Sequence, residues 1–227
     1  MFPTQQPQIT QDVQLATVTS VNDPEGLNRV EIRLLSHSES PQQEGVLWAR
    51  VATPCAGGNK GAFFLPDVGD EVLVSFVNGD SRYPVVIGSL WNGTDAAPET
   101  LGGSGDSVDR WTIVGKNGTR IAIVEENPSQ ETISFTTPGG TSGELTDAGG
   151  GKIEFKVAGT TVTFDTQGVT VDTPLNVKVQ ATQVSISAAM VTVDAALSKF
   201  SGVVQADTVI CNSIVSASYT PGAGNIW

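Results

Sequence analysis

The chain has 227 residues and a formal charge of −12, from 24 acidic and 12 basic residues. Only 16% of its residues are charged, whereas about 25% is usual. A chain that is acidic and has so few basic residues lacks the positive face that neutralises phosphates, which argues against a nucleic-acid binder. Its single histidine, His37, argues against a histidine-rich metal site and leaves one candidate for histidine catalysis.

The first hundred residues predict a small all-β domain. Five segments of alternating apolar and polar residues predict strands over residues 16–21, 29–34, 47–51, 71–77 and 83–88. Asn78-Gly79 follows the fourth segment and predicts a tight turn with positive φ. Five short strands with turns about every ten residues predict a closed barrel of the OB type over residues 15–100. No segment has the 3.6-residue period of an amphipathic helix.

A glycine-rich stretch separates this barrel from a second β-rich region. The sequence LGGSGDS at residues 101–107 predicts a flexible linker over residues 101–110. In residues 151–216, Val and Thr make up 22 of 66 residues, a composition that favours extended chain. Short segments of period two predict strands over residues 153–157, 161–164, 169–171, 175–179, 184–186 and 191–193.

Strands this short cannot bury a thick core within one chain, so their apolar faces need partners. A β-helix or β-prism, in which strands stack at about 4.8 Å, is one solution. Three chains wound around a three-fold axis are another, because the apolar face of each chain then meets the other two. A narrow stem needs small side chains inside and few charges outside, and the sequence after residue 157 has both. Its small residues include Ala188, Ala189, Ala195, Ala196 and Ala206.

The barrel region carries a recognisable signature. The sequence FLPDVGDEVLVSFVNGD at residues 64–80, with RYPVVIGSLWN at residues 82–92, resembles the OB-fold of contractile-injection-system spikes. These include the VgrG proteins of type VI secretion, phage baseplate assembly protein V and phage central spike proteins. DPEGLNRV at residues 23–30 and WARVA at residues 48–52 match upstream parts of the pattern. Asn28 stands where glycine is usual, and Asn tolerates the same left-handed turn.

The resemblance implies an all-β protein in which an OB-fold barrel precedes a C-terminal intertwined trimeric β-helix, or β-prism, stem over residues 111–216. It implies a structural protein and not an enzyme: the central spike of a contractile injection system or phage tail baseplate. Such a homotrimer caps the inner tube and punctures the target cell envelope. The N-terminus has no signal-peptide pattern, so we expect synthesis in the cytoplasm and assembly into the baseplate of a phage tail-like particle or virion.

Two partner proteins follow from the same resemblance. VgrG proteins carry a large hub domain before the OB-fold, and this sequence begins almost at the barrel. We therefore expect a separate trimeric hub protein, bound by residues 1–14, with Ile9, Val13 and Leu15 as candidate contacts. We expect residues 217–227 to bind a separate tip protein of the PAAR-repeat kind. The candidate contacts there are Tyr219, Asn225, Ile226 and Trp227.

Other contacts are expected to be few. The His-x-His iron site at the apex of some short phage spikes has no counterpart in this sequence, so no metal or other cofactor is expected. The target membrane would be contacted only transiently, and nucleic acid not at all.

Two other functions remain open at this point. A tail-associated β-helical adhesin, or a protein that binds or degrades polysaccharide, predicts clustered acids or aromatic residues along the stem. Residues 151–216 contain no Trp or Tyr, which counts against it. A free-standing OB-type binding module predicts a basic, aromatic groove. Residues 1–100 hold 12 acidic and 5 basic residues, which counts against that function too.

Overall fold

The structure, a computed structural model, describes residues 13–37 and 46–218. These residues are all-β, with short 3-10 turns and without an α-helix. They divide into two compact units, one that extends to residue 176 and one that starts at residue 177. Five predicted contact residues lie outside the described residues: Ile9, Tyr219, Asn225, Ile226 and Trp227.

Five strands of the first unit close into a barrel, as predicted. Its strands and a small hairpin are, in chain order, β1 (Gln14–Ser20), β2 (Val30–Leu34), β3 (Val46–Val51), β4 (Ala56–Gly57), β5 (Lys60–Gly61), β6 (Glu71–Phe76) and β7 (Pro84–Leu90). The barrel order is β1-β2-β3-β7-β6, and β6 pairs back onto β1. Strands β3 and β7 run parallel, whereas the other barrel pairs are antiparallel. Strands β4 and β5 pair with each other outside the barrel.

The barrel core comes from the alternation that the sequence shows. In β6, every second residue is buried because successive side chains of a strand point to opposite faces. The core residues are Ala16, Val18, Val30, Ile32, Ala49, Val72, Val74, Phe76 and Val86. The predicted turn after β6 is confirmed, since Asn78 and Gly79 have φ angles of 53° and 72°.

The rest of the first unit is one antiparallel sheet. Its strands are β8 (Arg110–Val114), β9 (Arg120–Val124), β10 (Thr132–Thr136), β11 (Ser142–Thr146), β12 (Lys152–Val157), β13 (Thr160–Asp165) and β14 (Gly168–Asp172). Each strand pairs with the next one in the chain, so the sheet is a simple meander with β8 and β14 at its edges. Short turns suffice because consecutive strands are antiparallel neighbours.

The described part of the second unit has bends but no strand. The segments at residues 175–179, 184–186 and 191–193, expected as strands, have no strand partner among the described residues. Extended chain becomes a strand only with such a partner, and an intertwined β-helix would take its partners from other chains. None of the described residues belongs to a helix that is long and apolar enough to cross a bilayer.

Candidate assembly interface

One face of the seven-stranded sheet is apolar across its whole width. The register places its side chains opposite one another in two rows that cross all seven strands. The first row is Trp111, Ile123, Ile133, Leu145, Ile153, Phe164 and Val169. The second row is Ile113, Ile121, Phe135, Gly143, Phe155, Val162 and Val171. We call these two rows the apolar face.

The apolar face is open to water in the single chain. Ile113, Ile133 and Val169 are 55%, 51% and 66% exposed. Ala122 is the one fully buried hydrophobic side chain among the described residues of the sheet. Burying apolar surface contributes roughly 25 cal/mol per Å², and soluble monomers rarely expose a contiguous patch this wide. The sheet therefore lacks a core of its own and needs a second layer over this face.

Gly143 interrupts the second row for a steric reason. Phe135 lies directly opposite it on β10, and its ring covers the glycine. A Cβ atom on Gly143 would lie 2.3 Å from Cζ of Phe135, well inside van der Waals contact. The Phe135 ring also lies beside that of Phe155, with the ring centroids 6.3 Å apart. The row therefore stays continuous, because an aromatic ring fills the place above the glycine.

The opposite face of the sheet is polar and internally paired. Lys156 Nζ lies 2.6 Å from Glu154 Oε1, and Lys152 Nζ lies 3.6 Å from Glu144 and 3.8 Å from Glu154. The Lys156 ammonium lowers the pKa of Glu154, and the Glu154 carboxylate raises the pKa of Lys156. On the same face the Thr132 hydroxyl donates to the Thr146 hydroxyl at 3.2 Å. This face is suited to solvent.

Glu99 fixes the start of the glycine-rich linker to the sheet. One carboxylate oxygen accepts a hydrogen bond from Arg110 Nη1 at 3.0 Å, and the other accepts from Nε of Arg120. Arg110 begins β8 and also donates to Glu126 beyond β9. The guanidinium groups of Arg120 and Arg110 hold the pKa of Glu99 below its ordinary value. The linker is thus pinned where it meets β8 and β9.

Another ion pair, between Lys116 and Asp67, joins the barrel to the sheet. Lys116, in the turn between β8 and β9, contacts the carboxylate of Asp67 in the loop before β6. The Lys116 side chain is 81% exposed, and solvent-exposed ion pairs contribute little to stability. We therefore expect the Lys116–Asp67 pair to orient the turn between β8 and β9 but to add little to the free energy of unfolding.

The sequence-predicted contact residues fall in different places. Val13 and Leu15 are 49% and 40% exposed, at the start of β1, and the other predicted contacts lie outside the described residues. The apolar face was not predicted from the sequence. The alternation of apolar and polar residues over residues 111–136 indicates which side chains share a face of the sheet. It does not indicate which strands pair, and the pairing is what aligns these side chains into two rows.

Comparison with known proteins agrees with the barrel geometry. Residues 14–91 match the family described as the type VI secretion system/phage-baseplate injector OB domain. The barrel strands β1 to β7 lie within this match and resemble an injector OB domain. The predicted resemblance to VgrG-type and phage-baseplate spikes is therefore confirmed for this region. Asn28 has a φ of 56°, so it takes the left-handed conformation that the sequence led us to expect at this turn.

Curated relatives match short stretches of this chain and of their own length. The type VI secretion system spike protein VgrG3 of Vibrio cholerae is 40% identical over 62 residues, 27% of this chain and 6% of the relative. The spike protein VgrG1a of Pseudomonas aeruginosa is 33% identical over 79 residues, 35% of this chain and 12% of the relative. The actin cross-linking toxin VgrG1 of Vibrio cholerae is 36% identical over 59 residues, 26% of this chain and 5% of the relative. The matches thus span at most about an eighth of these relatives.

Proposed function

We propose that this chain is the structural central spike of a contractile injection system or phage tail baseplate. Three copies would form a homotrimer that caps the inner tube and punctures the target cell envelope. The observation that carries the proposal is an injector OB domain, matched at residues 14–91, followed by a sheet whose apolar face has no cover. The relatives named as spike proteins support the same role.

The apolar face accounts for trimerisation. Three such sheets around a three-fold axis would turn their apolar rows toward one another and their polar faces to solvent, which makes a three-sided prism with a dry interior. In a cyclic trimer each copy presents the same surfaces to its neighbours, so one sequence satisfies all three contacts and the ring closes. An interface made of apolar side chains is typical of obligate assemblies.

The direction of the hydrogen bonds supports a mechanical role. In an antiparallel sheet the backbone hydrogen bonds run perpendicular to the strands, from β8 to β14. Seven strands at about 4.8 Å give a sheet roughly 30 Å long in that direction. If the strands lie perpendicular to the prism axis, their backbone hydrogen bonds run parallel to it. A load along the axis would then be shared by many hydrogen bonds at once.

We also propose the two partners that the sequence implies. A trimeric hub protein would bind residues 1–14, and the partly exposed Val13 and Leu15 support this contact. A PAAR-repeat-like tip protein would bind residues 217–227. The proposed role is structural and not enzymatic.

One experiment tests the trimer directly. Size-exclusion chromatography with light scattering should give three times the chain mass of 23.6 kDa. Ile133→Lys places a charge in the first apolar row and should abolish the trimer, because a lysine cannot be buried there unpaired. Ser134→Lys, one residue further on the polar face, should leave the trimer intact. A monomeric wild type, or two variants that behave alike, would refute the proposed role for this face.

A further inference from the structure

A pocket opens on the surface of the barrel beside the β4–β5 hairpin. It is lined by the turn between β1 and β2, the end of β3 and side chains of residues 53–65, and its volume is about 600 Å³. We call it the hairpin pocket. Pockets that bind ligands typically have volumes of about 300–1,000 Å³. The hairpin pocket belongs neither to the apolar face nor to the contacts predicted at the two ends of the chain.

Backbone and side-chain hydrogen bonds hold the hairpin pocket in shape. The Thr53 hydroxyl donates to the carbonyl oxygen of Ala62 at 2.6 Å, and the Ala62 amide donates to the carbonyl oxygen of Cys55 at 3.1 Å. These bonds tie the two ends of the hairpin together. The Ala52 amide donates to the carbonyl oxygen of Val86 at 2.8 Å, which anchors the start of the loop to β7. A site that is already formed loses less conformational entropy when it binds a ligand.

The hairpin pocket is cationic. Arg50 and Lys60 line it, and no acidic residue is among the described residues around it. Neither cation has a carboxylate partner in residues 13–37 and 46–218. Lys60 lies close over Gly57, where a Cβ atom would be 2.9 Å from its Cε. Two unpaired cations in a chain of charge −12 make the pocket a local site for an anionic group.

The rim of the hairpin pocket is apolar. Phe63 and Phe64 are 74% and 61% exposed, and Leu27, from the opposite turn, is 61% exposed. Single apolar side chains are common on protein surfaces, but here three large ones surround the same two cations. An aromatic side chain buries a large area when a partner covers it. A ligand that fits the pocket therefore needs an apolar group beside its negative charge.

The charge around the hairpin pocket limits the kind of ligand. Residues 1–100 hold 12 acidic and 5 basic residues, so a long run of phosphates or an anionic membrane surface would be repelled on all sides of the pocket. A short peptide can place its carboxylates inside the pocket and reach no further. Charge complementarity thus favours a peptide over nucleic acid or lipid.

We propose that the hairpin pocket binds an extended peptide segment of a partner protein, in which an Asp or Glu lies next to a large apolar residue. The carboxylate pairs with Arg50 and Lys60, and the apolar side chain packs against Phe63 and Phe64. Every residue that carries this inference lies in one barrel, so the inference stands apart from the proposed trimer.

A random heptapeptide library displayed on filamentous phage, selected on the immobilised full-length protein, tests the chemistry of the ligand. The selected peptides should combine Asp or Glu with an aromatic residue or Leu. The double variant Arg50→Glu, Lys60→Glu should select Lys and Arg instead. The matched control Lys178→Glu, Lys199→Glu reverses two exposed charges outside the barrel and should select the same acidic peptides as the wild type.

Fluorescence anisotropy of the most enriched peptide, labelled with fluorescein, measures its affinity. Lys60→Glu and Phe63→Ala should each weaken binding about tenfold, because each removes one half of the recognition. Trp91→Ala changes a side chain that is similarly exposed, at 70%, and lies outside the pocket; it should bind like the wild type. All three variants should melt at the wild-type temperature, since the substituted side chains are exposed.

The two free cysteines give an independent measurement. Cys55 lines the hairpin pocket and Cys211 does not, and both are exposed. The bound peptide should therefore protect Cys55 from alkylation by iodoacetamide and leave the alkylation of Cys211 unchanged. Equal alkylation of Cys55 with and without the peptide would place the peptide elsewhere and overturn the proposal.

Other outcomes would overturn the proposal as well. These are a library without enrichment, or the same peptides selected by the wild type and by Arg50→Glu, Lys60→Glu. Tighter binding of oligothymidylate or of phosphatidylserine vesicles, lost in that double variant, would assign the pocket to nucleic acid or membrane. Faster alkylation of Cys55 in the monomeric Ile133→Lys variant than in the wild-type trimer, without peptide, would show that a second copy already covers the pocket.

Discussion

The carboxylate of Asp23 accepts two hydrogen bonds from the guanidinium of Arg29 across the turn between β1 and β2. Arg29 Nη2 lies 2.8 Å from Oδ1 of Asp23, and Arg29 Nε donates to Oδ2 at 3.0 Å. The backbone amides of Glu25 and Leu27 also donate to this carboxylate, each at 3.0 Å. Arg29 in turn lies over the ring of Trp48, 5.8 Å from its centroid. One acidic side chain thus organises the turn and fixes its cation.

Asp23→Asn should lower the melting temperature of the barrel by several degrees. The amide keeps the size of the side chain but loses the negative charge and one acceptor, so Arg29 can no longer be held at both nitrogens. Differential scanning calorimetry measures the change. Asp106→Asn, which alters an exposed carboxylate of the linker, is the matched control and should have no effect. Equal melting temperatures for Asp23→Asn and the wild type would contradict the assigned role.

Acid should weaken the barrel through the same carboxylate. The Arg29 guanidinium, with help from the backbone amides, holds the pKa of Asp23 far below its ordinary value of 3.8, and Arg82 lowers the pKa of Asp80 to about 2. A depressed native pKa contributes stability above pH 3.8, and this contribution is lost as the pH falls below that value. The melting temperature should therefore change little from these groups between pH 5 and pH 7 and fall below about pH 4. In the Asp23→Asn variant the melting temperature should fall less at low pH than in the wild type. Parallel curves of melting temperature against pH would contradict the role assigned to the Asp23 carboxylate.

Gly143→Ala should destabilise the sheet by about 1–3 kcal/mol, as overpacking typically does. The added methyl group would collide with the Phe135 ring, which would have to swing away from Gly143 and shift against Phe155. Chemical denaturation monitored by circular dichroism gives the free energy of unfolding. Gly139→Ala is the control, because its nearest neighbour would be Thr137 Oγ1 at 4.0 Å. The double variant Phe135→Leu, Gly143→Ala should recover part of the loss, and failure to recover would point to another cause.

Glu99→Gln should loosen the glycine-rich linker. The neutral amide cannot hold the guanidinium groups of Arg110 and Arg120 together, so residues 101–109 would open more often. Limited proteolysis followed by mass spectrometry should show faster cleavage within this segment. Glu125→Gln changes an exposed carboxylate near the same edge of the sheet and should cleave at the wild-type rate. Identical cleavage rates for both variants would show that Glu99 does not pin the linker.

Truncation after Ser218 should separate assembly from tip binding. The shortened chain should still form the trimer and melt at the wild-type temperature, because the proposed interfaces lie before residue 219. It should no longer capture a purified PAAR-repeat protein of the same injection system in a pull-down assay. Retained capture would show that residues 219–227 do not form the tip contact.

The barrel was predictable from the sequence because its local signals agree with its long-range pairing. Alternating residues gave the buried faces of β2 and β6, and Asn78-Gly79 marked the turn after β6. A two-residue hydrophobic period indicates which side chains of a strand share a face. It does not indicate which other strand pairs with it. For that reason the meander of β8 to β14, and the two rows that it assembles, could not be derived.

Single contacts across long sequence separations were also beyond prediction. Nothing in the local sequence marks Glu99 as the partner of two arginines, because the three residues meet only when the linker folds back. Gly143 reads as an ordinary glycine until its pairing with Phe135 is known.

The distribution of charge along the chain bears on how a spike would meet a lipid bilayer. Residues 1–176 hold 22 acidic and 10 basic residues, whereas residues 177–227 hold two of each. Anionic headgroups give a membrane surface a negative potential that repels acidic protein within about a Debye length. If the proposed spike entered with residues 177–227 first, this neutral segment would pass that surface without electrostatic resistance, and the acidic remainder would be repelled when it arrived. The depth of entry would then depend on ionic strength, with low salt holding the barrels away from the lipid.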